Sequence, residues 1–555
     1  MSQNGLNKKG FEVIPPNRKW LLNFALITAL ITTIPYLIGY SKQGDQWRFS
    51  GFVFGVEDGN TYLAKMLRGA QGDWLFRTPY TTYEQKGVFA FAPYLVLGKL
   101  VEGENQHDQL IVLFHVFRIV GNFMAIFAVY DFSSLFLEKE RTRKIATVLV
   151  TYGGGFGWLF VALQASQWKG SLPLDFYTPE SFGFLGTLGI AHLPWARAFF
   201  LWGIRGYLLK GSKTINTYGA SCIVGNLNPG ILWLATGIAQ PITGMLIGVI
   251  VVYHLLGLGI WQLIDWTKER HADLSGLKNY FITAAKASFI ALPLVIYNFI
   301  VYAKDPFIQI WTEQSRIQPP HVLHYIIAYG IIIPFVVKGF YEIFTNPSEN
   351  GILLLSWGIL APILLLVPLS YNRRLIEGLW IVLVVIALVS YEKSVNRAFR
   401  KSFLILIMTL ITSVFLISGS LLVSYFPGEP AFSSKDKIAA FTFLDNVAED
   451  SDVVLCAYET GNSLPAWAPV TVMIGHRPES AKIQEITPQI EAFYREETKD
   501  STRIKLLEDF NVSYVFLGPT EREFGDWEPE NDGIFHNIFT QGEYDLFEIV
   551  PLKPD

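Results

Sequence analysis

The feature that most constrains this chain is the clumping of its apolar residues into runs near the length needed to cross about 30 Å of hydrocarbon. The first, Trp20 to Tyr40, follows Arg18 and Lys19, with Lys8 and Lys9 further upstream. It is too long for a secretory signal core and no small-x-small cleavage pattern follows, so it reads as a retained anchor with a cytoplasmic amino terminus. Further runs are Gln109–Tyr130, Ile145–Leu163, Trp195–Leu209, Tyr280–Ala303, His321–Phe340, Gly351–Leu369, Leu375–Tyr391 and Phe403–Tyr425. Pro229–Leu263 is too long for one span and holds Gln240-Pro241 near its middle, so it divides into two. The expectation is an α-helical polytopic membrane protein with about eleven spans.

Composition supports this class. Of 555 residues, 51% are hydrophobic and 17% charged, against roughly a quarter charged in soluble domains. No basic tract points to nucleic acid, and two cysteines, Cys222 and Cys456, make neither a disulfide framework nor a thiolate zinc site. The basic segments "EKERTRK" (138–144), "WTKERH" (266–271) and "EKSVNRAFRK" (392–401) fall on one side of the membrane, which the positive-inside rule makes cytoplasmic. Loops 41–108, 164–194, 304–320 and the turn Tyr371–Arg374 then face outward, as does the carboxyl-terminal region.

After Tyr425 the pattern becomes that of a soluble domain. "DVVLCAY", "PVTVMIGH" and "VSYVFLG" read as strands, and "KDKIAAFTFLDNVA", "ITPQIEAFYREE" and "STRIKLLEDF" as helices. This alternation predicts a small α/β domain over 429–555, outside the membrane, behind a transmembrane domain of residues 1–428. Acceptor recognition or structural support is the expected role of that domain. His476 and Glu479 within it are expected to be surface residues.

Glu57 and Asp58 open an amphipathic helix in the first outer loop. Tyr62, Leu63, Met66 and Leu67 form its apolar stripe, while Asn60, Lys65 and Arg68 face elsewhere. Such a helix is expected to lie along the membrane interface with Asp58 near its positive amino end. Two readings of Asp58 stand: a helix cap and a functional carboxylate.

"EDGNTYLAKMLRGAQGDW", "DFYTPESF" with His192, "AKDPFIQIWTEQSRIQPP", "VPLSYNRRLIEG" and "GPTEREFG" carry a resemblance. Through them the chain resembles uncharacterised bacterial membrane proteins grouped with the GT-C superfamily of polytopic glycosyltransferases. That superfamily includes protein O-mannosyltransferases, lipid A aminoarabinose transferases and oligosaccharyltransferase catalytic subunits. The resemblance implies transfer of a sugar from a polyprenyl-phosphate donor to a glycan, lipid or protein acceptor at the outer face of a bacterial inner membrane. It implies that Asp58 or Glu57 serves catalysis, although the order here is Glu-Asp where several families have Asp-Glu. Ala191-His192 stands where relatives tend to show Pro-His. By analogy with oligosaccharyltransferase subunits, Asp175 with Asp58 is a candidate site for magnesium or manganese.

The chemistry of such a reaction needs a base for the acceptor hydroxyl and positive charge for the departing phosphate. Arg373 and Arg374 at an outer span end are candidates for the phosphate, with ordinary snorkelling as the rival reading. Arg118, one turn from His115 inside a span, is either a third cation for the lipid or part of a structural ion pair. His192 and Trp311 are substrate candidates, Trp311 as a lipid gate or sugar platform, with an interface-lying loop as the alternative. The glycines of "TYGGGFGWLF" (151–160) read as close helix packing, since no Lys-Ser/Thr follows to complete a phosphate loop. A transporter or lipid flippase is the alternative function. The absence of repeated halves and the placement of most acidic residues in loops favour the enzyme.

Overall fold

The fold is described from a computed structural model, over residues 17–212, 220–269, 275–316, 320–367, 372–529 and 533–550. Lys8, Lys9, Arg270, His271 and Tyr371, used above to orient the chain, lie outside the described residues. The chain divides into two compact units, one of Met1–Thr32, Phe117–Phe299 and Ile317–Gly419, the other of Thr33–Val116, Ile300–Arg316 and Ser420–Asp555.

Among the described residues, seven helices are long and apolar enough to cross a membrane. An eighth is counted if the pair Val322–Tyr329 and Ile333–Thr345, bent by 79°, forms one span. Three of the expected spans take other forms. The run from Ile145 breaks at Gly153–Gly155 between helices Glu140–Tyr152 and Gly157–Ala162. Trp195–Leu209 lies within a largely buried helix, His192–Gly211. Pro229–Leu263 divides at Gln240 as expected, because proline is accepted in a first turn, but its first half, Pro229–Ala239, is only 11 residues long, and only Pro241–Glu269 reaches span length.

In the first unit the Leu379–Lys393 helix is apolar on every face and buried from Leu379 through Ser390, as a central helix must be. Trp202, Trp357 and Trp380 belong to the same core. The glycine break is a packing device. A Cβ on Gly155 would lie 2.6 Å from the Ala328 backbone, and one on Gly154 would lie 2.8 Å from Thr412.

The second unit joins the first loop to the tail. Strand β1 (Trp47–Phe49) pairs antiparallel with β2 (Phe432–Ser434). A five-stranded sheet follows, made of β3 (Val453–Leu455), β4 (Thr471–Val472), β5 (Val512–Leu517), β6 (Phe535–Gln541) and β7 (Tyr544–Ile549), in the order β4-β3-β5-β7-β6. The β4, β3 and β5 strands are parallel and β5, β7 and β6 antiparallel. Helices Lys435–Val447, Ile483–Phe493 and Asp500–Asp509 form where the tail's helical periodicity places them. Ala64 and Tyr80 of the first loop share a core with Phe441, Leu444, Val454, Val472 and Phe516 of the tail.

The Val56–Ala70 helix is the largest departure from expectation. Instead of presenting one apolar stripe to an interface, it buries Asn60, Thr61 and Lys65 as well as Tyr62, Leu63, Met66 and Leu67. It crosses the Ala92–Gly98 helix at glycines. A Cβ on Gly69 would fall 2.1 Å from the Leu95 carbonyl oxygen, and one on Gly98 would fall 1.7 Å from that of Met66. Gly98→Ala is therefore expected to destabilise the second unit by about 1–3 kcal/mol through forced separation of the two helices. Thermal unfolding of the full chain in detergent checks this, and an unchanged midpoint contradicts the close crossing.

Candidate functional site

The site begins at Gly55, whose left-handed backbone (φ 58°, ψ 47°) turns the chain into the helix. Glycine adopts this conformation without a Cβ penalty. The N-cap is Gly55 and the helix starts at Val56, so Asp58 lies inside its first turn and is not the N-cap residue. The cap reading is thereby corrected, while the positive end of the helix still favours the carboxylate. Gly59 allows the Phe52 ring to lie against the helix start, 2.4 Å from where a Cβ would stand.

The tail supplies partners for the acidic pair. Glu57 accepts a hydrogen bond from the Tyr458 hydroxyl, and that hydroxyl accepts one from the Arg477 backbone N–H at 3.0 Å. Asn462 donates to the Glu57 carbonyl at 3.3 Å and accepts from Asn60 at 2.9 Å. Asp58 faces His476, with Nε2 3.4 Å from Oδ1. The other ring nitrogen, Nδ1, is 3.5 Å from Glu479 Oε1. Both distances lie at the long end of hydrogen bonding and are read as ion-pair contacts.

Behind the imidazole lies a buried charge pair. Lys65 Nζ is 2.6 Å from Glu479 Oε1, and each side chain is 1% exposed. Thr78 donates to the second Glu479 oxygen at 2.5 Å. The ammonium also lies 4.7 Å from the centre of the Phe91 ring and 5.3 Å from that of Phe76, where ring quadrupoles favour a cation. The turn holding His476 is set by Ser480, whose hydroxyl oxygen accepts from the Gly475 and His476 N–H groups at 3.0 and 3.1 Å. His476 and Glu479 are thus not the surface residues that their sequence surroundings suggest. They are buried because Asp58 and Lys65 meet them.

The signs of the charges set the acidities. Burial pushes the Asp58 carboxyl up, but the facing His476 and its charge, with Lys65 beyond, more than reverse this and hold it below its ordinary value. The solvent-facing geometry agrees, since 54% of the Asp58 side chain is exposed. Burial pushes His476 down, and the Asp58 and Glu479 carboxylates overcome it, raising the imidazole to about 9. Burial also pushes Glu479 up, and Lys65 with His476 brings it down to about 2. Asp58 is the outward-facing end of a chain of alternating charge.

Trp311 stacks on Phe91 at 5.8 Å and packs near Phe76 and Phe307. Arg373 lies over the Tyr177 ring at 4.7 Å, and Arg374 is 3.7 Å from Glu180. Close by in sequence, Glu377 receives Arg197 at 2.7 and 3.1 Å in a buried fork. Arg118 is fully buried and donates to Thr32 Oγ1 at 3.2 Å and the Thr187 carbonyl at 3.3 Å. His192 opens the His192–Gly211 helix. These arginines and His192 belong to the first unit, whereas Glu57, Asp58 and Trp311 belong to the second.

Asp175, also in the first unit, is buried and accepts from the Gly157 N–H at 3.1 Å and Thr412 Oγ1 at 2.6 Å. Both bonds go to Oδ2, and Oδ1 is buried without a hydrogen-bond partner; no group of three or more His, Cys, Asp or Glu side chains suited to a metal occurs among the described residues.

No protein-family model matches the chain, and no curated protein matches it in sequence. Solved structures do match in fold. The mycobacterial arabinofuranosyltransferase AftD superposes with a TM-score of 0.56 at 12% identity, over 98% of this chain and 40% of AftD. The Archaeoglobus fulgidus oligosaccharyltransferase AglB, in complex with an inhibitory peptide and a dolichol-phosphate, superposes with a TM-score of 0.52 at 15% identity. That match covers 90% of this chain and 69% of AglB. The chain has the fold of the GT-C glycosyltransferases: a multi-helix membrane protein with a small carboxyl-terminal α/β part.

Two predictions follow from the charge chain. Lys65→Met leaves Glu479 buried without its cation and is expected to cost about 3–5 kcal/mol, much of which Lys65→Met/Glu479→Gln recovers. Denaturation in detergent reads both, and additive losses contradict the pairing. The second concerns pH. His476 is raised from 6.5 to about 9, so its stabilisation is complete below pH 6.5 and lost as pH rises through 9. Melting temperatures should fall over that window in the wild type and less in His476→Gln; parallel profiles contradict the assignment.

Proposed function

We propose that this protein is a membrane glycosyltransferase that moves a sugar from a polyprenyl-phosphate donor to an acceptor hydroxyl, with Asp58 as general base. The observation that carries the reading is the state of Asp58: ionised, exposed, at a helix amino end and braced from behind by His476. The fold supports the class of reaction, and AglB was solved with a dolichol-phosphate.

In the proposed step the acceptor oxygen bonds to the anomeric carbon while the bond from that carbon to the phosphate oxygen breaks. The electron pair leaves with the lipid phosphate, and the hydroxyl proton passes to Asp58. A glycosyl phosphate needs no protonation to depart, which distinguishes it from glycosides that require two carboxyl groups. A carboxylate of low basicity suffices because the hydroxyl turns acidic as its oxygen bonds to carbon. Glu57 is less suited, since the Tyr458 hydroxyl occupies its carboxylate.

For the phosphate we retain Arg373 and Arg374, whose guanidinium groups match phosphate geometry: Arg374 is exposed, and Arg373 is half-buried with Nη1 buried and without a hydrogen-bond partner. Arg118 is a weaker choice, since it is fully buried on Thr32 and Thr187. The basic segments 138–144 and 392–401 support an outward-facing Asp58 loop.

Asp58→Asn is expected to lower transfer by roughly 10²–10⁴-fold with folding intact. A panel of labelled polyprenyl-phosphate sugars, offered to the purified full chain, measures this. Near-normal transfer by the variant removes Asp58 as the base.

A further inference from the structure

We propose that His476 is a positioning residue for Asp58: an imidazole protonated at both nitrogens that keeps the carboxylate ionised and turned outward, so that the carboxyl-terminal segment completes the transfer site. This deepens the reading of Asp58 as the base and rests on it. It also gives the tail a task beyond acceptor recognition or support.

The protonation state follows from what the ring touches. Nε2 faces Asp58 Oδ1 at 3.4 Å and Nδ1 faces Glu479 Oε1 at 3.5 Å. The contacts are ion-pair contacts and Nδ1 makes no hydrogen bond, but an ionised carboxylate facing each nitrogen offers only acceptor oxygens and favours the ring that carries a proton on both. It then has no free lone pair and is not itself the base. Its side chain is 11% exposed against 54% for Asp58, which places the cation behind and the carboxylate in front.

The surroundings fix this arrangement. Glu479 is neutralised from its far side by Lys65 at 2.6 Å and held by Thr78 at 2.5 Å. Tyr80 places its ring 6.0 Å from the imidazole and donates its hydroxyl hydrogen to the Asn462 carbonyl at 3.1 Å. Glu57 is occupied by Tyr458, and Tyr458 is tied to the backbone of Arg477. The backbone of His476 is clamped by Ser480, and Gly475 lies against Gly461, where a Cβ would stand 2.4 Å from backbone carbon. Among the described residues, Asp58, Glu479 and Lys65 act on the ring's charge, with Glu57, Tyr80, Tyr458 and Arg477 beside them. With Asp58, His476, Glu479 and Lys65 alternating in sign, the outermost charge of the chain is negative and rests on Asp58.

The test reads the Asp58 carboxyl directly. A water-soluble carbodiimide with an amine nucleophile labels protonated carboxyl groups, and peptide mapping of the full chain gives the pH of half-labelling at Asp58. His476→Gln should raise that pH by about one unit, equivalent to a tenfold change in the protonation equilibrium. His476→Lys, which keeps a cation, should leave it near the wild-type value. An unmoved midpoint in the Gln variant, or a shift in the Lys variant as large as the one expected for Gln, overturns the proposal. If the Gln variant melts early, His476→Asn takes its place, with the same upward shift expected and an unmoved midpoint overturning the proposal.

In transfer assays with labelled polyprenyl-phosphate sugars, His476→Gln should lower kcat and move its acid limb upward, with the donor KM unchanged. A kcat profile that keeps the wild-type acid limb contradicts the positioning role. Failure of the wild type to use any donor sinks the transferase reading, while the labelling result still judges His476.

Discussion

The second unit depends on a single buried ion pair, Lys65 with Glu479, joining positions 414 residues apart. Two charges taken out of water are costly unless geometry and further hydrogen bonds compensate. Here the compensation is specific: a 2.6 Å contact, a threonine hydroxyl on the second carboxylate oxygen, and two aromatic faces against the ammonium. Such a pair adds little net stability but strongly disfavours arrangements that separate its members. Its effect is to bind the helix of the first loop to the turn after β4.

His476 converts that structural pair into a feature of the site. It stands between Glu479 and Asp58, so the charge needed to satisfy the interior also determines the state of the outward carboxylate. Asn60 and Asn462 repeat the pattern one step along, with neutral groups in place of charges. The tail is therefore not an appendage to the first loop. Strand pairing of β1 with β2 and the shared core of Ala64, Tyr80, Phe441 and Phe516 make the two segments one folded body.

Much of the architecture was legible in the sequence because it follows local rules. The apolar runs announced the membrane helices, Gln240-Pro241 marked a break, and the tail's periodicity placed three strands and three helices. Hairpin β6–β7 was missed, though its alternating "FHNIFTQ" and "YDLFEI" around Gly542 carried a signal. The site was legible only in part. Asp58 stands out by its place after the first span, but Lys65 and Asn60 read only as lying off the apolar stripe, because helical periodicity registers that stripe and cannot see polar partners hundreds of residues away. For the same reason His476 and Glu479 read as surface. Their only signal was a histidine and a glutamate three apart after a strand, in a chain whose first loop carried a lysine needing a partner.

The central claim is that a tail histidine, protonated on both nitrogens, lies between Asp58 and Glu479. The most direct measurement is nitrogen-15 NMR of the nine histidines in the full chain, with His476 assigned by its loss in His476→Gln. The account predicts an imidazolium signal for His476 at pH 7.5, titrating near 9 and moving to lower pH in Asp58→Asn. A neutral tautomer at pH 7.5, titrating near the ordinary histidine value of 6.5 and indifferent to Asp58, would contradict it.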